Sequence, residues 1–228
     1  PAMGTVTRDV FTFKLSLKCT ACGKAGTQRF RELCVSEGLQ TNKGEYPPSE
    51  FVILPASIKC KKCGAIDEYE WTERACQDFY LQSSVALLLL KAGQGESEPE
   101  DCPVKFVSMQ SAVGNNLPFS EAVKRYREKV QREPDNPEWQ VRLGNFLYHW
   151  GRTHAALAVY DEILRRWPGN LDAALQKGMA LERLERPVEA LASYATACQN
   201  ITSGEPAAFD KAAQLAEMLR AAARLAGK

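Results

Sequence analysis

The feature that most constrains this chain is a spacing of 34 residues that recurs through its C-terminal half. Alanine stands at positions 122, 156 and 190, and tyrosine stands at positions 126, 160 and 194. Five further pairs keep the same spacing: Pro134 and Pro168, Asn136 and Asn170, Gly144 and Gly178, Leu147 and Leu181, and Leu157 and Leu191. Because a fixed period of about 20–50 residues is typical of solenoids, the chain after Pro118 is predicted to be a stack of helices.

This pattern resembles the tetratricopeptide repeat family, whose unit is a pair of antiparallel helices of about 34 residues. The resemblance implies one full unit over Pro137–Asn170 and a second over Leu171–Gly204. Residues 118–136 match the second helix of an earlier unit, with Ser120 as its N-cap. Residues 205–228 are predicted to form a capping helix, because the open end of a solenoid needs a polar cover. The alternative is an all-α bundle without a binding role.

The resemblance also implies a groove that binds a protein or peptide. By the family's geometry the groove is lined by Val141, Asn145, Tyr148, His149, Leu175, Met179, Glu182 and Arg183. This mixture of apolar and polar side chains suits a peptide or a helix better than a small metabolite. The two-carboxylate clamp of chaperone-binding members needs a lysine where Val141 stands, and Asn145 alone matches it. A chaperone C-terminal tail is therefore not expected as the ligand.

Four of the eight cysteines form two C-x-x-C-G knuckles, Cys19–Cys22 and Cys60–Cys63. Each knuckle presents two thiolates, and the glycine that follows permits a tight turn. The layout resembles a zinc ribbon, and rubredoxin-like iron domains share it. We predict one structural zinc ion per chain, held by Cys19, Cys22, Cys60 and Cys63, because four thiolates complete a tetrahedral shell. Iron or another thiophilic metal, and a redox-active dithiol pair, are the alternatives.

The other cysteines and the two histidines do not indicate catalysis. Cys34, Cys76, Cys102 and Cys198 are expected to be small core residues. His149 and His154 lie in the repeat region, away from the knuckles in sequence. With four cysteine ligands and no recognisable catalytic motif, the chain is predicted not to be an enzyme.

The N-terminal half is predicted to be a small β-domain followed by a helix. Alternation of apolar and polar residues, or β-branched composition, predicts strands at Phe11–Leu17, Arg29–Val35, Phe51–Ile58 and Asp67–Thr72, with a loop at Glu37–Glu50. The Leu-rich run Cys76–Lys91 predicts a buried helix, and residues 93–103 read as a linker. Residues 104–113 are ambiguous between strand and helix, and helix is favoured.

Basic residues surround the predicted ribbon, which leaves a second function open. They are Lys18, Lys24, Arg29, Arg31, Lys59, Lys61 and Lys62. Such a rim could contact DNA or RNA. Against this, Lys and Arg number 29 and Asp and Glu number 28, so the net charge is only +1. Nucleic acid is therefore the alternative partner, and a solvated rim is the simpler interpretation.

The fold class that results is α+β and multidomain: a small β zinc ribbon followed by an α-solenoid. Residues 1–4 resemble a cloning remnant, 5–74 the ribbon, 75–117 a connecting helix and linker, 118–204 the repeats and 205–228 the cap. No apolar run approaches the roughly 20 residues of a membrane span. Paired C-x-x-C motifs suit a reducing compartment, so a cytoplasmic location is expected. The predicted function is an adaptor that mediates protein–protein interaction through the repeats, with the ribbon as a second docking surface.

Overall fold

The computed structural model describes residues 12–54, 58–92 and 104–202, together with residues 216, 219, 220 and 223. These residues divide into two compact units. The first contains the described residues up to 54 and from 69 to 109, and the second contains 58–68 and those from 110 onward. The predicted cloning remnant, the linker at 93–103 and Cys102 lie outside the described residues. So does the predicted capping helix, apart from four helical positions.

The first sheet of the first unit contains β2 (Ala25–Phe30), β1 (Phe13–Cys19) and β5 (Tyr69–Trp71), in that order. Both β2 and β5 pair with β1 in antiparallel orientation. The predicted alternation holds in β1, where the apolar residues are buried and the lysines are exposed. One face of this sheet therefore belongs to the core.

The second sheet contains β4 (Val52–Ile53), β3 (Leu33–Ser36) and β6 (Val104–Val107), in that order. The prediction of one strand over Arg29–Val35 is wrong, because the chain leaves the first sheet after β2 and begins β3 in the second. The prediction of a helix at 104–113 is also wrong. Residues 104–107 form β6, which pairs in parallel with β3, so a distant strand partner outweighs the local pattern.

The predicted strand Phe51–Ile58 is reduced to the two residues of β4 within the described part of the chain. The predicted loop Glu37–Glu50 contains a short helix, α1 (Gly38–Thr41), and a 3-10 turn at Pro48–Glu50. The predicted helix Cys76–Lys91 forms as α2 (Glu73–Ala92), but the expectation that it is mostly buried is wrong, because Tyr80, Leu81 and Val85 are exposed. Its Phe79 is buried and packs on the rings of Phe13 and Trp71, which fixes α2 against the first sheet.

The second unit contains five successive helices within the described residues. They are α3 (Phe119–Arg132), α4 (Pro137–His149), α5 (Thr153–Arg166), α6 (Leu171–Arg183) and α7 (Pro187–Thr202). Asn136 and Asn170 cap α4 and α6 with their side chains, at equivalent positions of the two repeats. The prediction that Ser120 caps α3 is wrong: Pro118 occupies the N-cap without a side-chain bond, and Ser120 lies within the first turn.

Each helix pair is closed by the contact of a glycine with a tyrosine 16 residues later. A Cβ on Gly144 would lie 2.5 Å from a ring carbon of Tyr160, and a Cβ on Gly178 would lie 2.1 Å from a ring carbon of Tyr194. Both tyrosines are fully buried. The glycines therefore let the tyrosine rings lie directly on the neighbouring helix backbone, which explains why both residues repeat at the same spacing.

Candidate metal centre and repeat groove

The first cysteine knuckle is the turn between β1 and β2. Cys19 ends β1, and its N–H donates to the carbonyl of Lys24 at 3.0 Å. The N–H of Gly23 donates back to the carbonyl of Cys19 at 2.8 Å. Gly23 has a φ of +70°, which residues with a side chain rarely adopt. The turn therefore requires the glycine that the sequence places after Cys22.

The second knuckle repeats this geometry residue by residue. The N–H of Cys60 donates to the carbonyl of Ala65 at 2.8 Å, and the N–H of Gly64 donates to the carbonyl of Cys60 at 2.9 Å. Gly64 has a φ of +76°. An antiparallel bridge between Lys59 and Ile66 closes the base of the turn. We refer to residues 58–67 as the knuckle hairpin.

The four knuckle cysteines form one cluster of potential ligands. The Sγ atoms of Cys19, Cys22, Cys60 and Cys63 all lie within 4.8 Å of one another. A tetrahedral ion with metal–sulfur bonds of about 2.3 Å would place its sulfurs about 3.8 Å apart, so this donor set fits one thiophilic metal ion. Within the part of the chain that the structure describes, no histidine or carboxylate belongs to the cluster. The sequence-predicted ligands are thus brought together as a tetrathiolate set.

The other described cysteines are partly buried rather than fully buried. Burial raises the pKa of the Cys34 and Cys76 thiols, which favours their neutral form. Cys198 packs against the hydrophobic cluster of the second repeat. These thiols have the surroundings of packing residues rather than of nucleophiles.

A buried carboxylate fixes the knuckle hairpin to the repeats within the second unit. Asp67 ends the hairpin, and its side chain is 1% exposed. One carboxylate oxygen, Oδ1, accepts a hydrogen bond from the N–H of Ile58 at 2.9 Å, across the base of the hairpin. The other, Oδ2, accepts from the hydroxyl of Thr153 at 2.8 Å and from Nε of Arg183 at 3.0 Å. One side chain therefore closes the hairpin and joins it to α5 and α6.

Arg183 is held from several directions at this contact. Its side chain is 11% exposed, its Nη1 donates to the carbonyl of Tyr148 at 3.1 Å, and its guanidinium lies 5.2 Å from the centre of the Tyr148 ring. Beside it, Ile66 belongs to the same hydrophobic cluster as Leu175 of the second repeat. The ion pair Lys59–Glu185 joins the hairpin to the turn between α6 and α7 of the same repeat.

The predicted groove residues consequently divide into three groups. Tyr148, Leu175 and Arg183 take part in, or lie in one cluster with, the contact to the chain's own knuckle hairpin. Val141 is buried in the core of the first repeat, and Asn145 accepts a hydrogen bond from the Tyr160 hydroxyl at 2.8 Å. Of the remaining three, His149 is exposed and Glu182 is partly exposed. Met179 is partly exposed and packs against the cluster that contains Ile66.

Sequence reasoning missed the residues that dock the hairpin, Ile66, Asp67 and Thr153. A single aspartate after a knuckle has no motif, and Thr153 has no repeat counterpart because proline stands 34 residues later at position 187. One feature of the sequence did indicate this contact: the predicted position of Arg183 in the groove places a cation on the inner side of α6.

Two of the basic residues near the knuckles form ion pairs within the chain. Lys18 pairs with Glu70 at 2.6 Å, and this hydrogen bond raises the pKa of Lys18. Lys59 is engaged by Glu185, as described above. The remaining members of the predicted set are exposed; they are Lys24, Arg29, Arg31, Lys61 and Lys62.

Comparison with known families agrees with this architecture. The tetratricopeptide repeat model matches residues 110–170 and again 150–206. These matches together cover residues 110–206, which include helices α3–α7. A search of curated protein sequences gave no match.

The solved structures that the chain resembles share little sequence with it. The TPR2B domain of yeast Sti1 in complex with pHsp70 is 19% identical, with a TM-score of 0.42, over 46% of this chain and 82% of that chain. PcrH from Pseudomonas aeruginosa is 14% identical, with a TM-score of 0.43, over 68% of this chain and 96% of its own. SycD from Yersinia enterocolitica, in complex with a peptide of the translocator YopD, is 13% identical, with a TM-score of 0.44, over 69% and 100%.

None of the helices in the described ranges has the length and apolar character needed to cross a membrane.

Proposed function

We propose that this chain is a non-enzymatic adaptor: its repeats bind a protein or peptide, and its four knuckle cysteines hold one structural zinc ion. The observation that carries the proposal is the pair of repeat matches over residues 110–206, together with the same glycine–tyrosine contact in both repeats. Repeats that stack in this way create extended surfaces that other proteins bind.

The proposed partner-binding face is the part of the predicted groove that the chain does not itself occupy. Its best-placed residues are His149 at the end of α4, which is exposed, and Met179 on α6, which is partly exposed although it packs against the cluster that contains Ile66. A polar imidazole and a flexible thioether suit a peptide or helix that offers both apolar and polar groups.

Zinc is the proposed ion because tetrahedral thiolate sets select it, with iron as the alternative. Four thiolates complete the shell and leave no position for a water molecule or a substrate. Bound zinc would supply folding free energy at the knuckles rather than reactivity. This role agrees with the absence of histidine and carboxylate ligands from the described cluster.

Metal analysis of the purified chain tests the zinc proposal. We expect about one zinc per chain, because one tetrahedral shell uses all four ligands. The double variant Cys19→Ser, Cys60→Ser should lose the metal, whereas Cys198→Ser, which changes a packing cysteine, should keep it. Visible absorption typical of iron–thiolate centres, or a metal content that the double variant leaves unchanged, would contradict the proposal.

Affinity capture with matched variants tests the adaptor proposal. A partner recovered by the wild-type chain should be lost, or strongly reduced, with His149→Ala and Met179→Ala. It should be retained with Arg165→Ala, which removes an exposed charge on α5 outside the predicted groove. Equal recovery by all three variants would show that the groove is not the binding face.

The nucleic-acid alternative is not adopted, because ion pairs engage Lys18 and Lys59 and the net charge is only +1. Binding to mixed single- and double-stranded nucleic acid at two salt concentrations tests it. Affinity that falls steeply with salt at micromolar protein would restore this alternative.

A further inference from the structure

The second knuckle is held by the repeats as well as by its own backbone. Both carboxylate oxygens of Asp67 accept hydrogen bonds. One accepts from the N–H of Ile58 across the base of the hairpin, and the other accepts from Thr153 and Arg183. The N–H of Asp67 also donates to the carbonyl of Ile58 at 2.9 Å. Cys60 and Cys63 lie between these two residues in sequence, so the aspartate helps to hold together the two arms of the hairpin that flank both cysteines.

The position of Asp67 depends in turn on Arg183. A carboxylate with a side chain 1% exposed is costly to bury unless it is paired, and the guanidinium is the only cation bonded to it among the described residues. Asp67 also has a φ of +57°, a conformation that a non-glycine residue keeps only when its surroundings fix it. Without Arg183, the buried carboxylate of Asp67 loses its cationic partner and keeps only the neutral hydrogen bonds from Thr153 and Ile58 among the described contacts.

We propose that Arg183 is a positioning residue of the metal centre, so that metal binding by the knuckle cysteines and the stability of the second repeat are energetically coupled. This inference depends on the metal binding proposed above. Arg183 acts through Asp67 and does not itself touch the ion. Outer-shell groups that orient metal ligands typically change metal affinity by about 10–100-fold. Because coupling between two events is reciprocal, metal binding must stabilise the repeat that Arg183 belongs to.

Zinc affinity of the full chain, measured by competition with a chromophoric chelator, tests the proposal. We expect Arg183→Gln to weaken zinc binding by at least about 10-fold. Thr153→Val, which removes one hydrogen bond to Asp67 and keeps the side-chain shape, should weaken it by less. Arg165→Gln is the matched control: it removes an exposed arginine of an ion pair on α5 and should leave the affinity unchanged.

A second readout separates positioning from a general loss of structure. Hydrogen exchange of α6 should speed up when a chelator removes zinc from the wild-type chain, and this response should be absent in Arg183→Gln. If Arg183→Gln does not give a folded chain by circular dichroism, Thr153→Val provides the same two measurements.

The outcomes distinguish this inference from the metal proposal. A wild-type chain that binds no metal overturns both. A wild-type chain that binds zinc, with folded Arg183→Gln or Thr153→Val binding it equally tightly, overturns only the coupling. Exchange of α6 that does not change on zinc removal also overturns the coupling.

Discussion

The glycine–tyrosine contact predicts that alanine at position 178 destabilises the second repeat. A Cβ there would lie 2.1, 2.5 and 2.7 Å from three ring carbons of Tyr194, far inside the 3.5–4.0 Å or so of normal carbon contacts. The ring is fully buried, so it cannot turn out into solvent. Overpacking of this kind costs about 1–3 kcal/mol, and alanine returns about 1 kcal/mol of helix propensity. At the upper end of that cost, the net loss is about 1–2 kcal/mol.

Two further glycines provide an internal scale for this prediction. At Gly144 the nearest ring carbons of Tyr160 lie at 2.5, 3.0 and 3.1 Å from the added Cβ, so Gly144→Ala should cost less. At Gly169 a Cβ meets no atom within 4 Å, so Gly169→Ala should change stability by less than about 0.5 kcal/mol.

Thermal unfolding followed by tryptophan fluorescence is a suitable assay, because Trp139, Trp150 and Trp167 all lie in the second unit. Each kcal/mol should move the midpoint by about 4 °C in a unit of this size. The expected order of midpoints is Gly169→Ala, then Gly144→Ala, then Gly178→Ala. The reasoning is refuted if Gly178→Ala is as stable as Gly169→Ala.

Three smaller predictions concern single interactions. Asn170→Ala should lower the free energy of unfolding by about 1 kcal/mol in urea denaturation, because it removes the side-chain cap of α6. Tyr160→Phe should cost about 1 kcal/mol in the same assay, because Asn145 loses its hydrogen-bond donor; an unchanged midpoint would contradict that bond. Burial, and to a smaller extent the charge of Glu32, raises the pKa of the Cys34 thiol. Any stability that this thiol contributes is therefore present at neutral pH, and it declines as the pH rises above the ordinary thiol pKa of 9.0. Alkylation of Cys34, measured by mass spectrometry at pH 8, should be slower in the folded chain than in guanidinium, and equal rates would argue against a protected thiol.

The sequence was most informative where structure depends on neighbouring residues. The 34-residue spacing located the helices, since the Gly–Tyr contact and the asparagine caps recur in both repeats. The C-x-x-C-G pattern likewise indicated both knuckle turns, because each needs glycine at positive φ. These are local constraints, and a single chain segment is enough to express them.

The remaining features depend on partners far away in the sequence. The strand β6 pairs with β3 across roughly seventy residues, and its short apolar run gives no indication of that partner. The bond between Thr153 and Asp67 spans 86 residues and joins two residue types that usually read as solvent-exposed. For this reason the sequence predicts Arg183 to bind a partner, whereas its guanidinium donates to Asp67 of the chain's own knuckle hairpin.

X-ray absorption at the zinc K-edge of the purified chain tests the central claim most directly. The claim is that Cys19, Cys22, Cys60 and Cys63 form a closed tetrathiolate centre with a structural role. It predicts four sulfur neighbours at about 2.3 Å and no lighter ligand. A shell that contains nitrogen or oxygen, or fewer than four sulfurs, would reveal an open coordination position and contradict the claim.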